Sequence, residues 1–172
     1  MEQHNKKRVI ELELYTDGSC KRHNLTTFGA WAFIAVRDNN REFYAADSML
    51  HTTNQRMELQ AIINALEYAA QNRRPNEHVI VYSDSAYAIN CYNQQWYLNW
   101  INNGWLNSQN KPVSNRDLWD KIIPYFDNFW YSFKKVDGHA GVYWNELCDK
   151  LAQEQAQKAK INYRGPYEQR IV

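Results

Sequence analysis

No apolar run in this 172-residue chain is long enough to cross a bilayer, and Met1 to Arg8 is polar, without the apolar centre of a secretory signal. An excess of charge of one sign is missing as well: 20 Lys and Arg stand against 19 Asp and Glu, a formal net charge of +1. A nucleic-acid binder usually carries a basic face, so this balance counts against one unless bound cations supply positive charge locally. Cysteine is scarce. Cys20, Cys91 and Cys148 are odd in number and far apart, with no CxxC or Cys/His spacing for zinc. They read as reduced thiols, and a cytoplasmic protein with no membrane attachment is the expectation. Repeats and low-complexity linkers are absent too, which makes residues 1–160 a single domain and leaves 161–172 as a tail that fits no element. What is abundant is material for a core: 44% apolar residues, with 7 Trp and 12 Tyr, mark a globular chain long enough to bury one.

The hydrophobic pattern orders the elements. Val9 to Thr16 alternates, with Ile10, Leu12 and Leu14 against Glu11, Glu13 and Tyr15, and predicts a half-buried strand closed by Asp17-Gly18. Ala30 to Val36 and Phe43 to Met49 predict two more strands around a turn at residues 37–41, completing an antiparallel meander. Leu59, Ile62, Ile63 and Leu66 recur at helical spacing as far as about Gln71. Val79 to Tyr82 is apolar on both parities, as in an interior parallel strand. Helices follow from Ala86, and Ser114 or Asn115 could cap another with the stripe Leu118, Ile122 and Phe126. Trp130 to Val136 predicts a last strand and Asn145 to about Lys160 a last helix. The order βββαβ, helices, βα defines an α/β domain.

Four acidic residues sit at informative places on that scaffold. Asp17 ends the first strand, Glu58 opens the first helix, Asp84 follows the fourth strand, and Asp149 lies near the start of the last helix. A strand, helix, strand crossover makes the first and fourth strands parallel neighbours, so Asp17 and Asp84 reach the same carboxyl ends, where open α/β sheets bind ligands. Gathered carboxylates raise one another's pKa values unless a cation neutralises them. Hard oxygen ligands suit Mg²⁺, and two such ions can clamp a phosphate for in-line displacement. Each residue alone has a blander reading. An Asp after a strand is a turn or cap residue, and Glu58 is a charge favouring a helix N-terminus.

The chain also resembles the type 1 ribonuclease H family from about Val9 to Gln157. The phrases that carry the resemblance are Thr16-Asp17-Gly18-Ser19-Cys20, Thr52-Thr53-Asn54-Gln55-Arg56-Met57-Glu58-Leu59 and Ser83-Asp84-Ser85-Ala86-Tyr87. Further on come Trp100 with Gly104-Trp105, Lys111-Pro112-Val113 and Asp117-Leu118-Trp119. The last are Val136-Asp137-Gly138-His139-Ala140-Gly141, Asn145-Glu146 and Cys148-Asp149-Lys150-Leu151-Ala152. The resemblance implies a five-stranded mixed sheet of order 3-2-1-4-5 flanked by helices, with a helical handle. It implies an endonuclease that hydrolyses the RNA strand of RNA–DNA hybrids, leaving 5′-phosphate and 3′-hydroxyl; a monomer is a separate expectation.

On this resemblance Asp17, Glu58, Asp84 and Asp149 would hold two Mg²⁺ ions, with Mn²⁺ as a substitute, and Asp17 would bridge them. His139 would handle protons or product release, as an imidazole titrating near neutrality can. Gly18, Ser19, Cys20, Asn54, Gln55 and Glu58 would read the 2′-hydroxyls that distinguish RNA from DNA. Thr53 would belong to a phosphate pocket on the DNA strand and Trp96 would pack on a DNA sugar. Trp96, Trp100 and Trp105 have a second reading, as aromatics that pack the handle against the domain. Cys20 and Cys148 read as inert small residues.

The sequence departs from the family pattern in places. The handle between Trp96 and Arg116 is usually basic in bacterial members, and here Lys111 and Arg116 carry nearly all its charge. Lys21 to Thr27 replaces a Gly/Pro-rich turn, and Ala86 stands where relatives often hold Gln. These changes bear on substrate contacts and leave the carboxylates intact. The rival readings are another nuclease on the same sheet, such as a junction resolvase or integrase-like domain, and a non-catalytic hybrid-binding copy of the domain.

Overall fold

A computed structural model describes residues 10–23, 25–138 and 141–163. Its first strand, β1 (Glu11–His23), does not stop at Asp17-Gly18 as the local sequence predicts, because β2 (Thr26–Arg37) pairs with it antiparallel from Glu13 through His23. β3 (Asn40–Leu50) pairs antiparallel with β2 and closes the meander. The β2–β3 turn narrows to Asp38 and Asn39, with φ of 49° and 60°. A two-residue hairpin turn needs positive φ, and Asp and Asn tolerate it better than most residues.

Helix α1 (Asn54–Asn72) crosses over to β4 (His78–Ser83), which lies parallel to β1. After α2 (Ala86–Asn93), α3 (Trp96–Asn102) and α4 (Arg116–Ile122), a single 3₁₀ turn leads to β5 (Tyr131–Lys135), and α5 (Tyr143–Asn162) follows. The sheet order is β3-β2-β1-β4-β5. That is the predicted mixed sheet, with β4 interior and parallel to both neighbours.

Two apolar layers cover the sheet. On one face Leu12, Leu14, Phe33 and Ala35 pack with Leu59, Ile62, Ile63 and Leu66 of α1. On the other, Tyr15, Ala32, Ile34 and Val36 meet Cys148 and Ala152 of α5. β1 is therefore covered on both sides and not half-buried: Tyr15, expected on the solvent side, is buried, while Ile10 is exposed. Each fully buried Leu or Ile contributes about 1.5–3 kcal/mol. Small residues line the sheet side of α5, where Cys148, Ala152 and Ala156 are all buried, so the helix backbone rides close to the strands. At the far end of the sheet, Arg37 donates through Nε and Nη2 to both oxygens of Glu77 at 2.6 and 2.9 Å and also pairs with Glu42. This buried group ties the hairpin to the α1–β4 connection, and removing one partner of such a pair costs about 3–5 kcal/mol.

The aromatic-rich segment after β4 joins the α1-side core. Trp100 and Trp119 meet edge to face at 5.4 Å, and Phe126 packs on Phe133 at 4.9 Å. Phe126, assigned by its spacing to the α4 stripe, lies just past the 3₁₀ turn Ile123–Tyr125, yet still faces the core. Asn115 is the residue before α4, as expected, but in the left-handed conformation and without a side-chain cap.

Candidate active site

β1 and β4 run side by side from Glu11 opposite His78 to Thr16 opposite Ser83, and part at the next residues, Asp17 and Asp84. β1 continues alongside β2, whereas β4 turns off into α2. The opening between them is a switch point at strand carboxyl ends, where an α/β sheet has room for a ligand. Asp17 is only 6% exposed.

Two close packings bring in the other acids. A Cβ placed on Gly18 would stand 2.2 Å from the Glu58 backbone nitrogen and 2.4 Å from the Met57 carbonyl carbon. Glycine thus lets α1 lie directly on β1, which sets Glu58 beside Asp17. α1 starts where the Thr53 hydroxyl accepts from the Arg56 N–H at 3.3 Å. On the opposite face the Cys148 thiol donates to the Tyr15 and Ala32 carbonyls at 3.4 and 3.3 Å, seating the helix that carries Asp149. Burial pushes that thiol far above its ordinary pKa, which makes it a packing group and no nucleophile.

The acids share one electrostatic field. Asp17 is pushed up to about 8, first by burial, then by the charges of Asp84 and Asp149, with a smaller push from Glu58; its hydrogen bond to the Gly18 backbone opposes the rise. Glu58 is raised by burial and by Asp84, against hydrogen bonds from Ser85 and Asn54. Those bonds are short: Ser85 Oγ to Glu58 Oε2 at 2.5 Å and Asn54 Nδ2 to Oε1 at 2.6 Å. Asp149 accepts from Gln153 Nε2 at 2.7 and 2.9 Å. As they stand, no three His, Cys, Asp or Glu side chains among the described residues form a finished ligand set. The donor chemistry nevertheless fits a hard divalent cation. Four carboxylates supply oxygen only, and the buried member pays a proton-affinity penalty that a nearby positive charge would relieve.

Of the other predicted site residues, Ser19 and Cys20 extend along β1 past Gly18, each partly buried, and the Cys20 thiol donates to the Thr52 carbonyl at 3.5 Å. Thr53, Asn54 and Gln55 are exposed at the start of α1. Gln55 and Trp96 line a cleft of about 730 Å³ between α1 and the handle, together with Asn99, Asn102 and Asn103. Trp96 is half-buried there, 6.5 Å from the Trp100 ring. Trp100 itself is core, and Trp105 lies under the Arg116 guanidinium at 4.6 Å, so these two pack the handle. Arg56 is committed to a two-pronged pair with Asp117 at 2.7 and 3.0 Å and to Asn115 at 3.1 Å. His139 lies outside the described residues. Its neighbour Gly138 approaches the site so closely that a Cβ there would be 3.0 Å from Asp84 Oδ2.

Three participants went unassigned in the sequence. Ser85 directly precedes a helix, where a Ser is a cap signal that could have singled it out within Ser83-Asp84-Ser85. Gln153 follows Asp149 by four residues, a spacing at which helical side chains meet. Gly138 stands in the phrase Val136-Asp137-Gly138-His139 that carries the resemblance, but nothing in the sequence shows its close approach to Asp84.

The comparisons agree with this geometry. A family profile described as RNase H matches residues 10–157. A curated ribonuclease H from Syntrophomonas wolfei subsp. wolfei is 42% identical over 144 residues, covering 83% of this chain and 94% of that protein. Among solved structures, the foamy viral protease-reverse transcriptase in complex with RNA/DNA hybrid superposes with a TM-score of 0.75 at 21% identity, over 86% of this chain and 20% of that one. RNase H1 from the halophilic archaeon Halobacterium salinarum NRC-1 gives a TM-score of 0.60 at 22% identity, over 87% of this chain and 99% of that one. The chain belongs to the ribonuclease H family. Its activity is therefore endonucleolytic hydrolysis of RNA paired with DNA, with a requirement for divalent metal.

Proposed function

We propose that Asp17, Glu58, Asp84 and Asp149 hold two Mg²⁺ ions, which Mn²⁺ can replace, and that the RNA strand of an RNA–DNA hybrid is cut there to leave 5′-phosphate and 3′-hydroxyl ends. The observation that carries the reading is Asp17, buried where β1 and β4 part, whose proton affinity is raised first by that burial and then by the charges of Asp84, Asp149 and Glu58. When bound, the two ions supply an activated water and stabilise the leaving oxygen. The chain supplies the rest. Asp17, held on β1 opposite Ala32 of β2 just past the last residue paired with β4, would be the ligand shared by the two ions. Gly18 keeps α1 close enough for Glu58 to share the site.

Recognition of the hybrid follows from the same frame. The β1 stretch Gly18-Ser19-Cys20 and the exposed Asn54 and Gln55 flank the acids on the side of the α1 N-terminus, where they offer neutral donors and acceptors to 2′-hydroxyls. Thr53 and the half-buried Trp96 extend the surface toward the handle and take the DNA strand. His139, next to the Gly138 that abuts Asp84, moves the proton or releases the product. The foamy viral relative of this fold was solved with an RNA/DNA hybrid, which supports the substrate assignment. The protein is read as a monomer acting in the cytoplasm. Three thiols without disulfide partners support that setting, and among the described residues no helix is long and apolar enough to cross a membrane.

The test is incubation with RNA–DNA hybrid, double-stranded RNA and double-stranded DNA, each with Mg²⁺ and with chelator. Cleavage of hybrid RNA alone, in Mg²⁺ alone, is expected. Equal cleavage of duplex DNA, or full activity in chelator, overturns the reading.

A further inference from the structure

Ser85 joins two acidic elements without being acidic itself. It directly follows Asp84, is 4% exposed, and stands before α2 as its N-cap. Its hydroxyl oxygen accepts from the Ala88 N–H at 3.4 Å, a long bond, and its proton goes to Glu58 Oε2 at 2.5 Å, from another helix and 27 residues away in sequence. The second distance is that of a charge-assisted hydrogen bond to a carboxylate, at the short end of about 2.5–2.7 Å. The two bonds do not compete, since the cap uses a lone pair and Glu58 uses the only proton. The Ser85 backbone is held in turn, donating to Ser83 Oγ at 3.2 Å.

The consequence lies in what is left on Glu58. Its other oxygen accepts from Asn54 Nδ2 at 2.6 Å, so each oxygen has one donor. A carboxylate offers about four lone-pair sites, which leaves one or more on each oxygen for a cation. With a donor on each side, the carboxylate plane cannot rotate without breaking a short bond.

We infer that Ser85 is a positioning residue for the metal site: its hydroxyl fixes the Glu58 carboxylate in the orientation that a divalent cation requires. This rests on the proposed role of Glu58 as a ligand. Partners that orient a metal ligand typically affect metal affinity by about 10–100-fold when removed. A purely structural Ser85 would affect α2 through its cap and leave metal affinity alone.

Two substitutions separate these roles. Ser85→Ala removes both the cap and the bond to Glu58. Ser85→Gly also removes that bond, but glycine at an N-cap costs little helix stability. Calorimetric titration of Mg²⁺ into the nucleic-acid-free protein, with melting temperatures in chelator, reads both effects. The expected result is a loss of Mg²⁺ affinity of about tenfold or more in both variants, although Ser85→Gly melts closer to wild type than Ser85→Ala, and near-wild-type affinity in Ser85→Thr. Unchanged Mg²⁺ affinity in both the Ala and Gly variants overturns the inference. Glu58→Gln in the same titration separates it from the reading beneath: weakened binding there with unchanged Ser85 variants refutes only the role of Ser85, whereas unchanged binding in Glu58→Gln refutes Glu58 as a ligand.

Discussion

Gly18 lies against Glu58 with no room for a side chain, a Cβ on the glycine falling 2.2 Å from the Glu58 nitrogen. The contact is backbone on both sides, so no rotamer change relieves it. Gly18→Ala must push α1 off β1 and so separate Glu58 from Asp17. Overpacking a close contact costs about 1–3 kcal/mol. The variant is expected to melt lower than wild type and to lose hybrid cleavage even at temperatures where circular dichroism shows it folded. Wild-type cleavage by Gly18→Ala would mean that the α1–β1 approach does not set the site.

Asp17 provides a stability signature that needs no substrate. Its pKa in the fold is about 8, against 3.8 for an ordinary Asp, so between those values the folded state binds more protons than the unfolded one. Stability of the metal-free protein therefore falls as pH rises from about 4 to about 8, and is level above that. Asp17→Asn removes the buried charge, and is expected to flatten this pH dependence and to melt at or above wild type near pH 8 in chelator. A parallel pH profile in the variant would show that burial and the neighbouring acids do not raise Asp17.

The handle cleft gives a binding prediction. Asn99, Asn102 and Asn103 line it, and of the nearby cations Arg116 is spent over the Trp105 ring and facing Asp120 at 3.6 Å. Each Lys that neutralises a phosphate adds roughly one unit to the slope of log affinity against log salt. Replacing the three Asn with Lys should tighten hybrid binding and steepen that slope in Ca²⁺, where turnover is suppressed. If neither changes, the handle does not touch the duplex. Grip would then come from the Lys21-Arg22 stretch or from Arg56, whose pair with Asp117 is exposed.

His139→Ala is expected to slow turnover at saturating hybrid by about 10²-fold, the scale of a general acid–base group, without abolishing it. Single-turnover and steady-state rates distinguish proton handling from product release. Unchanged turnover would return His139 to an ordinary loop residue.

Much of this arrangement was legible in the amino-acid order. The crossover from β1 through α1 to β4 puts Asp17 and Asp84 at the same strand ends from element order alone, because connection rules leave parallel neighbours little choice. The misreadings have local causes. Asp17-Gly18 looks like a turn, but the glycine serves a helix contact, and β2 keeps the strand going to His23. Tyr15 alternates onto the wrong face for a half-buried strand because α5, more than a hundred residues later, covers that side. Trp100 and Trp96 share a helix and a residue type, and only packing shows that the first is core and the second borders the cleft. The donors on Glu58 and Asp149 depend on side-chain geometry that spacing indicates only in part.

The most direct measurement is hybrid cleavage in saturating Mg²⁺ by four single variants, Asp17→Asn, Glu58→Gln, Asp84→Asn and Asp149→Asn, each checked for its fold by circular dichroism. If the four carboxylates work as one metal site, every variant keeps its fold and loses more than about tenfold in rate, since disturbing a metal ligand should exceed the roughly 1.4 kcal/mol of one decade. Wild-type rates in Asp17→Asn, or in any two of the others, would contradict the account.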